Sequence, residues 1–253
     1  MYAKSFGVIA GLEETSWFLK KHGLEVKTHV NDGQTVKKGD LVFSILGGQK
    51  DIISTERICL NVLQRMSGIA TETKRLVDSL KNFQTRIAAT RKTLLPYLDK
   101  KAVFVGGGLT HRFGLWDAVL IKDNHLETLK KEGITDYIQT ALTRASKFVG
   151  AVDFIEIEVT SHEEALAAAR AFKALELEKP CVVMLDNMKP SLIRETMETL
   201  RENKLYDNLL LESSGDITPK NVQEYAKTGV DVVSMGYLTH SVKSLDLSLE
   251  MAL

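Results

Sequence analysis

The sequence is poor in the residues that cross-link a chain or hold a structural metal. Only two cysteines, Cys59 and Cys181, occur among 253 residues, and both lie inside apolar runs. No CxxC or HExxH spacing is present, which argues against a structural zinc site. We therefore expect two buried thiols in a protein of a reducing compartment.

An excess of charge of one sign and long hydrophobic runs are also missing. Lys and Arg together number 33, as do Asp and Glu, so no global field draws the chain to nucleic acid or to a membrane surface. The opening residues, MYAKSFGVIAGLEE, lack the apolar core of a secretion signal, and no later run is long enough to span a bilayer. We expect a cytoplasmic protein with no nucleic-acid partner and no membrane partner.

What is present is an ordinary globular composition, with 44% hydrophobic and 26% charged residues. Up to about residue 50 the chain has short strand-like pieces and glycine turns, as in THVNDGQTVKKGDLVFSILGG. This stretch has the V-x-x-G-D-x-V cadence of small lipoyl-carrier-like sandwiches. No lysine stands at a central hairpin tip, where a carrier would hold its cofactor, so we predict a structural role.

The segment STERICLNVLQRMSGIATETKRLVDSL places apolar residues at helical spacing. We predict a helix that Ser54 or Thr55 caps and that Gly68 bends or divides. At about 100° per residue, Arg57 lies about 200° from Cys59, on the face away from the helix's own core. The ordinary interpretation is that the Arg57 side chain is solvated, and the more specific one is that it contacts a second subunit.

From residue 85 onward, strand-like and helix-like segments alternate. The strand-like ones are TRIAAT, DAVLI, DFIEIEV, PCVVML, NLLLE and DVVSM, and Ser161 with Glu164 forms a capping box before one helix. Repeated βα units predict parallel strands, and apolar strands predict burial on both faces of the sheet. An α/β barrel fits better than an open sheet, because nearly every strand ends in polar residues, and in barrels those ends form the active face.

The polar residues at the strand ends suggest a site for acidic molecules. The cationic ones are Arg91, Lys92, His111, Arg112 and Lys122, and the acidic ones are Glu158 and Asp186. Clustered Arg and Lys bind carboxylates and phosphates, and two carboxylates near a phosphate suit Mg²⁺. The turns ESSGDITPKN and SMGYLTHS offer backbone N–H groups where barrels commonly hold phosphate. We predict a substrate with several acidic groups and a phosphorylated, metal-bound co-substrate.

Each of these residues has an ordinary interpretation when taken alone. Lys122 would be solvated or ion-paired in most proteins, Asp186 could cap the next helix, and the histidine beside Arg112 could belong to a surface pair. Glu156 and Glu158 alternate on one strand, so both face the same side, and inside a barrel both charges would have to be bound to something. The prediction of a shared site therefore rests on the position of these residues at strand ends, because the carboxyl ends of parallel strands lie at the same edge of a sheet.

Seven collinear segments give the chain a family resemblance. They are ERICLNVLQRMSGIAT, TRKT, GGGLTHRFGLWDAVLIKDNH, IEIEV, MLDNM, LESSG and GVDVVSMGYLTHSVKSLDLSLEM. From about residue 8 to the end they resemble quinolinate phosphoribosyltransferase, the carboxylating nicotinate-nucleotide pyrophosphorylase of NAD biosynthesis. The resemblance implies an N-terminal α/β sandwich domain over residues 1–68, shortened at its start. It also implies an incomplete, about seven-stranded parallel α/β barrel with a C-terminal tail over residues 69–253.

The resemblance further implies a homodimer in which one subunit's sandwich domain covers the other's barrel mouth, with a higher oligomer of dimers left open. Arg57 would be donated across the dimer to quinolinate, the pyridine dicarboxylate. Arg91, His111, Arg112 and Lys122 would complete the quinolinate pocket.

The same resemblance assigns the second substrate, phosphoribosyl pyrophosphate. Lys92 would lie near it, while Glu158 and Asp186 would engage the ribose hydroxyls and Mg²⁺. The 5′-phosphate end would be held by Ser214, Gly215, Gly236 and His240. The residues expected to act on the reacting groups are Lys92, Lys122, Glu158 and Asp186. The implied reaction gives nicotinate mononucleotide, pyrophosphate and CO₂.

Three departures from the family pattern leave alternatives open. The chain begins some tens of residues into that pattern, the link from RKT to GGG is slightly short, and Asp216 stands where a second glycine is usual. Because its charge would repel phosphate, we hold Asp216 out of the site. The alternatives are a divergent member of the molybdenum-uptake-associated type, a non-catalytic binder of pyridine carboxylates, a Schiff-base aldolase using Lys122, and nicotinate as the substrate.

Overall fold

The computed structural model describes residues 1–251. The chain forms two compact units. Unit 1 comprises Met1–Ser79, Lys92–Thr110 and the segment from Gly236 onward, and unit 2 comprises Leu80–Arg91 and His111–Met235. Within residues 1–251, no helix has both the length and the apolar character needed to cross a membrane.

The elements follow in chain order. They are β1 (Tyr2–Ala3), β2 (Gly7–Val8), α1 (Leu12–Lys21), β3 (Glu25–Thr28), β4 (Thr35–Val36), β5 (Phe43–Leu46), α2 (Gln49–Ser79), β6 (Arg86–Ala88), α3 (Pro96–Val105), β7 (Val119–Ile121), α4 (Asp123–Lys131), α5 (Tyr137–Ser146), a 3-10 turn (Val149–Ala151), β8 (Ile155–Val159), α6 (His162–Leu175), β9 (Cys181–Asp186), α7 (Pro190–Glu202), β10 (Leu209–Ser214), α8 (Val222–Ala226), β11 (Val232–Ser234), α9 (Tyr237–His240) and β12 (Leu247–Ser248).

Unit 1 combines short strand pairs with helices. Strand β2 pairs with β4, β3 with β5, and β1 with β12, and all three pairs are antiparallel. Side chains from these strands, from α1 and from the first half of α2 share one core, with Ile9, Leu19, Phe43, Cys59 and Leu63 almost completely buried. The expected small α/β domain is therefore present, as three separate two-stranded sheets with helices.

Helix α2 is longer and more continuous than the sequence predicted. The capping role predicted for Ser54 or Thr55 is wrong, because the helix begins at Gln49 and both hydroxyl groups donate to the backbone carbonyl of Asp51 one turn earlier, at 2.9 and 2.8 Å. The helix also continues through Gly68. A methyl group there would lie 2.2 Å from the carbonyl oxygen of Lys243, so glycine allows a close backbone approach and does not divide the helix.

A buried ion pair joins three helices of unit 1. The Arg65 guanidinium on α2 donates twice to the Asp99 carboxylate on α3, at 2.7 Å each, and once to the carbonyl of Thr239 on α9 at 3.2 Å. The hydroxyl of Thr93 donates to the same carboxylate, which is completely buried. Such a pair fixes geometry, because removal of either partner leaves an uncompensated charge.

Unit 2 is built on a six-stranded parallel sheet in the order β6-β11-β10-β9-β8-β7. Strands β7 to β11 neighbour one another in chain order, and the first strand, β6, pairs with the last. This is the order of a barrel that is open between β6 and β7, two strands that do not pair in the described part of the chain. The predicted incomplete parallel α/β barrel is confirmed, with six strands in the sheet instead of about seven.

The strand register gives the sheet two chemically different faces. Ile155, Ile157 and Val159 of β8 share one face with Cys181, Val183 and Leu185 of β9, and all six side chains are buried. The opposite face carries the polar residues Glu156, Glu158, Asp186, Glu212 and Ser214. Both faces are largely buried, as expected, but only one of them is apolar. The polar face is the one that carries the candidate site.

The two cysteines yield a direct test of this packing. Both are unpaired, and burial raises the pKa of each thiol to about 11. Because the thiolate is the reactive form, we expect neither thiol to react with Ellman's reagent at about pH 8 in the folded protein. Both should react after unfolding in guanidinium. Rapid reaction of a thiol in native buffer, assigned with Cys59→Ser and Cys181→Ser, would contradict the packing described here.

Candidate active site

Cationic side chains stand at the carboxyl ends of the two outermost strands of the unit 2 sheet. Lys122 directly follows β7 and precedes α4, its side chain is exposed, and its backbone N–H donates to Nδ1 of His125 at 3.0 Å. Arg91 lies three residues beyond β6 and is also exposed. Parallel strands bring their carboxyl ends to one edge of the sheet, so both cations stand at that edge.

Arg112 is the buried cation of the group. Only 4% of the residue is exposed, and its Nη1 donates to the carbonyl of Ala118 at 3.0 Å. Burial lowers the pKa of Arg112, and the positive charge of Arg91 lowers it further, while the carboxylates of Glu156 and Asp117 raise it. Arg112 and Arg91 therefore act on one another electrostatically, and an anionic ligand would relieve their repulsion.

His111 contacts two buried carboxylates. Its Nε2 lies 3.2 Å from Glu156 Oε2 on β8 and 3.2 Å from Glu212 Oε2 on β10, and these glutamates are 0% and 2% exposed. Burial by itself lowers the pKa of His111, but the two carboxylates outweigh it and raise that pKa to about 10. Burial, followed by the charge of Glu212, raises the pKa of Glu156. The protonation of His111 therefore depends on the charges of both neighbouring glutamates.

The hydrogen bond at the other ring nitrogen indicates where the protons lie. Nδ1 of His111 accepts the backbone N–H of Arg112 at 2.8 Å, so it keeps its lone pair and the ring proton belongs on Nε2.

The predicted acidic and phosphate-binding residues of unit 2 meet at the ends of β9 and β10. The Asp186 carboxylate accepts hydrogen bonds from the Ser214 hydroxyl and from Nδ2 of Asn187, the latter at 2.7 Å. Gly215 has a φ of +86°, and a methyl group there would lie 2.2 Å from Oδ1 of Asn187, so this turn requires glycine. Glu158, which is partly buried on β8, lies on the same face of the sheet as Asp186.

Four predicted site residues belong to unit 1. A Cβ atom on Gly236 would lie 3.1 Å from both Cδ2 of His240 and Cδ of Lys92, so these three residues are neighbours. The Thr239 hydroxyl donates to the carbonyl of Lys92 at 2.8 Å and fixes its backbone. Arg57 is exposed on α2, as its predicted position away from Cys59 requires.

Sequence reasoning gave no role to Glu212 and left Glu156 without a partner. A signal for Glu212 was available, because it stands two residues before Ser214 on one strand and must share its face. No signal in the sequence pointed to the contact of both glutamates with His111, which comes from a separate loop. The Arg65–Asp99 pair was also missed, because α2 and α3 are far apart in the sequence.

Comparison with known proteins covers nearly the whole chain. The family model "Quinolinate phosphoribosyl transferase, N-terminal domain" matches residues 1–67, and the model of the C-terminal domain matches residues 69–250. The probable nicotinate-nucleotide pyrophosphorylase (carboxylating) of Methanothermobacter thermautotrophicus is 40% identical over 97% of this chain and 85% of its own length. The mitochondrial quinolinate phosphoribosyltransferase (decarboxylating) 2b of Nicotiana tabacum is 36% identical over 98% and 72%.

Solved structures agree with the sequence matches. The crystal structure of NadC from Streptococcus pyogenes superposes with a TM-score of 0.84 at 33% identity, and the match covers 99% of this chain and 84% of that one. The structure of the nicotinate-nucleotide pyrophosphorylase from Francisella tularensis superposes with a TM-score of 0.81 at 32% identity, over 98% of this chain and 83% of that one. This chain belongs to the quinolinate phosphoribosyltransferase family.

Proposed function

We propose that this protein transfers the phosphoribosyl group of phosphoribosyl pyrophosphate to quinolinate, with loss of CO₂, in NAD biosynthesis. The products are nicotinate mononucleotide, pyrophosphate and CO₂. The observation that carries the proposal is the buried guanidinium of Arg112 in the field of Arg91, together with Lys122, which is exposed at the carboxyl end of β7. Such a set of cations needs an anion with more than one charge, and a pyridine dicarboxylate meets that need.

Quinolinate binding falls to four residues of unit 2. Arg91, Arg112 and Lys122 neutralise its two carboxylates, and His111 completes the pocket beside Arg112. Neutralisation is essential because quinolinate and phosphoribosyl pyrophosphate are both anions and would otherwise repel one another. Nicotinate has one carboxylate and would leave part of this positive charge unpaired.

The phosphoribosyl group requires a second set of contacts. The turn after β10 supplies Ser214 and Gly215, and backbone N–H groups in a turn of this kind suit a phosphate group. Lys92, Gly236 and His240 are neighbours in unit 1, and their cationic and small side chains suit a phosphate group. We assign Ser214 and Gly215 of unit 2 to phosphate binding and, as a separate set, Lys92, Gly236 and His240 of unit 1.

The donor set of Glu158 and Asp186 suits Mg²⁺. Both are carboxylates on the neighbouring strands β8 and β9 and on the same face, and hydrogen bonds from Ser214 and Asn187 orient the Asp186 carboxylate. When bound, Mg²⁺ supplies positive charge that stabilises the departing pyrophosphate. Glu158 and Asp186 also provide negative charge where the ribose becomes positive.

In the reaction the pyridine nitrogen attacks C1 of the ribose, and the bond from C1 to the pyrophosphate oxygen breaks with its electron pair on that oxygen. The bond between the ring and the 2-carboxylate then breaks, and CO₂ leaves. Its electron pair remains at C2, stabilised by the positive pyridinium, and a proton added at C2 completes nicotinate mononucleotide. Since no covalent enzyme intermediate is needed, the side chains bind, orient and neutralise charge.

We further propose a homodimer in which Arg57 of one subunit contacts quinolinate in the other, with a higher oligomer built from such dimers. Arg57 is exposed on α2 beside Ile53 and Ile58, which are 57% and 52% exposed. Large exposed apolar side chains around an arginine are typical of an interface core. The buried, unpaired cysteines suit a reducing compartment, and we place the reaction in the cytoplasm.

The other functions raised by the sequence have less support. The family relatives are named for the quinolinate reaction, which does not favour a divergent member or a non-catalytic binder. A Schiff-base aldolase would use Lys122 but would leave Arg91 and Arg112 without a purpose.

The first test is an assay of the purified protein with phosphoribosyl pyrophosphate, Mg²⁺ and either quinolinate or nicotinate. We expect mononucleotide and CO₂ in equal amounts from quinolinate, and neither product from nicotinate or without Mg²⁺. Product from nicotinate without CO₂ would contradict the proposed substrate. Tight binding of quinolinate without turnover would support the non-catalytic alternative instead.

Substitution of the two exposed cations should separate function from folding. Lys122→Ala and Arg91→Ala each remove a charge from the quinolinate pocket, which costs about 2–5 kcal/mol, or roughly 30-fold to several thousand-fold in kcat/KM for quinolinate. Thermal unfolding should stay cooperative with a nearly unchanged midpoint. Lys131→Ala, an exposed lysine in the last turn of α4, is the matched control and should keep full activity. Loss of cooperative unfolding in the two pocket variants would show that these residues are structural.

The shared site can be tested by mixing variants. Arg57→Ala and Lys122→Ala subunits, each inactive alone, should form mixed dimers that contain one intact site and one doubly altered site. Random assembly of equal amounts should restore about a quarter of the wild-type activity, because half of the dimers are mixed and half of their sites are intact. Two affinity tags would verify mixed dimers, and their inactivity would mean that Arg57 serves its own barrel.

A further inference from the structure

Two buried glutamates on the polar face of the unit 2 sheet have no part in the reaction described above. We propose that Glu156 and Glu212 are positioning residues, which hold the imidazole of His111 in place, and that Glu156 also offsets the charge of Arg112. They would thus keep the quinolinate pocket assembled before substrate arrives. The proposal rests on the proposed function, because it concerns the same pocket.

The geometry around His111 supports a positioning role. His111 has a φ of +51°, in the left-handed region of backbone conformation, which is unfavourable for residues other than glycine. Both ring nitrogens are nevertheless engaged, Nδ1 by the backbone N–H of Arg112 and Nε2 by the two glutamates at 3.2 Å each. The ring also lies edge-on to Phe154, with 5.5 Å between centroids. These contacts determine the orientation of the ring.

The sheet register explains how two glutamates reach one ring. Glu156 lies on β8 and Glu212 on β10, and the strand between them, β9, pairs Val182 with Glu156 and Met184 with Glu212. Both glutamates therefore point to the same face, one on each side of β9. His111 spans this gap from its loop, and its position is thereby fixed relative to two strands.

Burial makes a purely stabilising role for these carboxylates implausible. Oε1 of Glu156 and Oε1 of Glu212 have no hydrogen-bond partner among the side chains and backbone of residues 1–251, and Oε2 of Glu156 has only its 3.2 Å ion-pair contact with His111 Nε2. Burial of a carboxylate with incomplete hydrogen bonding costs free energy, and an apolar pair would stabilise the sheet better. Residues that violate the rules of core packing in this way are expected where function requires them.

Charge also links Glu156 to a second pocket residue, Arg112. Glu156 raises the pKa of Arg112, against the effects of burial and of Arg91. Glu156 is therefore a counter-charge for both His111 and Arg112, which are adjacent in the chain. In the absence of substrate, this counter-charge reduces the repulsion between the pocket cations.

Glu212→Gln provides a test in which two explanations predict opposite results. Glutamine keeps the shape of the side chain and one acceptor oxygen but removes the charge. If Glu212 acted only through its charge, its removal near a dianion should strengthen quinolinate binding. If Glu212 positions His111, the Kd for quinolinate should rise at least about tenfold, a change of about 1.4 kcal/mol, while the KM for phosphoribosyl pyrophosphate stays within about twofold.

Calorimetric titration of the wild-type protein and the variant with quinolinate measures this effect without turnover. Stronger or unchanged binding by Glu212→Gln would overturn the inference and leave the proposed function intact. Failure of the wild-type protein to bind quinolinate would overturn both. If Glu212→Gln does not fold, Glu156→Gln replaces it, with the same expected rise in Kd.

A double-mutant cycle tests whether Glu212 acts through His111. The variants are His111→Asn, Glu212→Gln and the combination of the two. We expect the combination to bind quinolinate as weakly as His111→Asn alone, because the positioned ring is already missing. Additive losses would overturn the assignment of Glu212 as a residue that acts through His111.

Asp231→Asn is the matched control. Asp231 is a partly buried carboxylate of unit 2 that accepts hydrogen bonds from the Tyr206 hydroxyl at 2.9 Å and the Leu211 N–H at 2.8 Å, at the amino end of β11. Its substitution should lower the unfolding temperature and leave the Kd for quinolinate unchanged. An equal rise in Kd in this variant would mean that general loosening of the unit, and not positioning, explains the result.

The cluster must also be distinguished from a metal site, because one nitrogen and two carboxylate oxygens within 4.8 Å of one another could hold a divalent ion. We expect purified wild-type protein and Glu212→Gln to have the same metal content by mass spectrometry. A stoichiometric transition metal in the wild-type protein that is lost in Glu212→Gln would overturn the inference, since the three residues would then be metal ligands.

Discussion

The parallel register of β8, β9 and β10 is the constraint on which the candidate site depends. In a strand the side chains alternate, so one register decides which residues meet the apolar core and which meet the polar face. Here Ile155 and Ile157 are buried on one side, while Glu156, Glu158 and Glu212 lie on the other. A shift by one residue would bury these charges against apolar side chains, so the hydrophobic pattern fixes the register and the register fixes the site.

The polar face creates an electrostatic requirement that the loops of unit 2 satisfy. Buried carboxylates need cationic or proton-bearing partners, and the segment before β7 supplies His111 and Arg112. The cations at the strand ends in turn need an anion, which the proposed substrate supplies. The pocket is thus a set of charges layered from the buried glutamates, through histidine and arginine, to a dicarboxylate. The glutamates reduce the repulsion between the pocket cations, and the cations reduce the repulsion between the carboxylates of the substrate.

Local signals in the sequence predicted local structure well where nothing distant interferes. The N-cap predicted at Ser161 is confirmed, because the Ser161 hydroxyl accepts the Glu164 N–H at 3.2 Å, whereas the Glu164 carboxylate accepts the N–H of Thr160, at 3.1 Å, where a capping box would use that of Ser161. The same reasoning failed at Ser54 and Thr55, whose hydroxyls bond within a helix that begins earlier. Gly68 was interpreted as a helix breaker because the segment around Lys243, which requires the small residue, is distant in sequence. Helix signals are ambiguous when their cause lies in tertiary packing.

The sequence by itself determined the parallel α/β architecture, the residues at the strand ends and the family, because alternation of apolar segments and short motifs are local properties. It also placed Arg57 away from the core face of its helix, since the angle between two side chains around a helix depends only on the number of residues between them. Only the tertiary structure decided that Glu156 and Glu212 meet at His111, and that Asp99 takes Arg65 as its partner. Both are contacts between side chains distant in the chain. Their distances are set by strand order and helix packing, which no local pattern encodes.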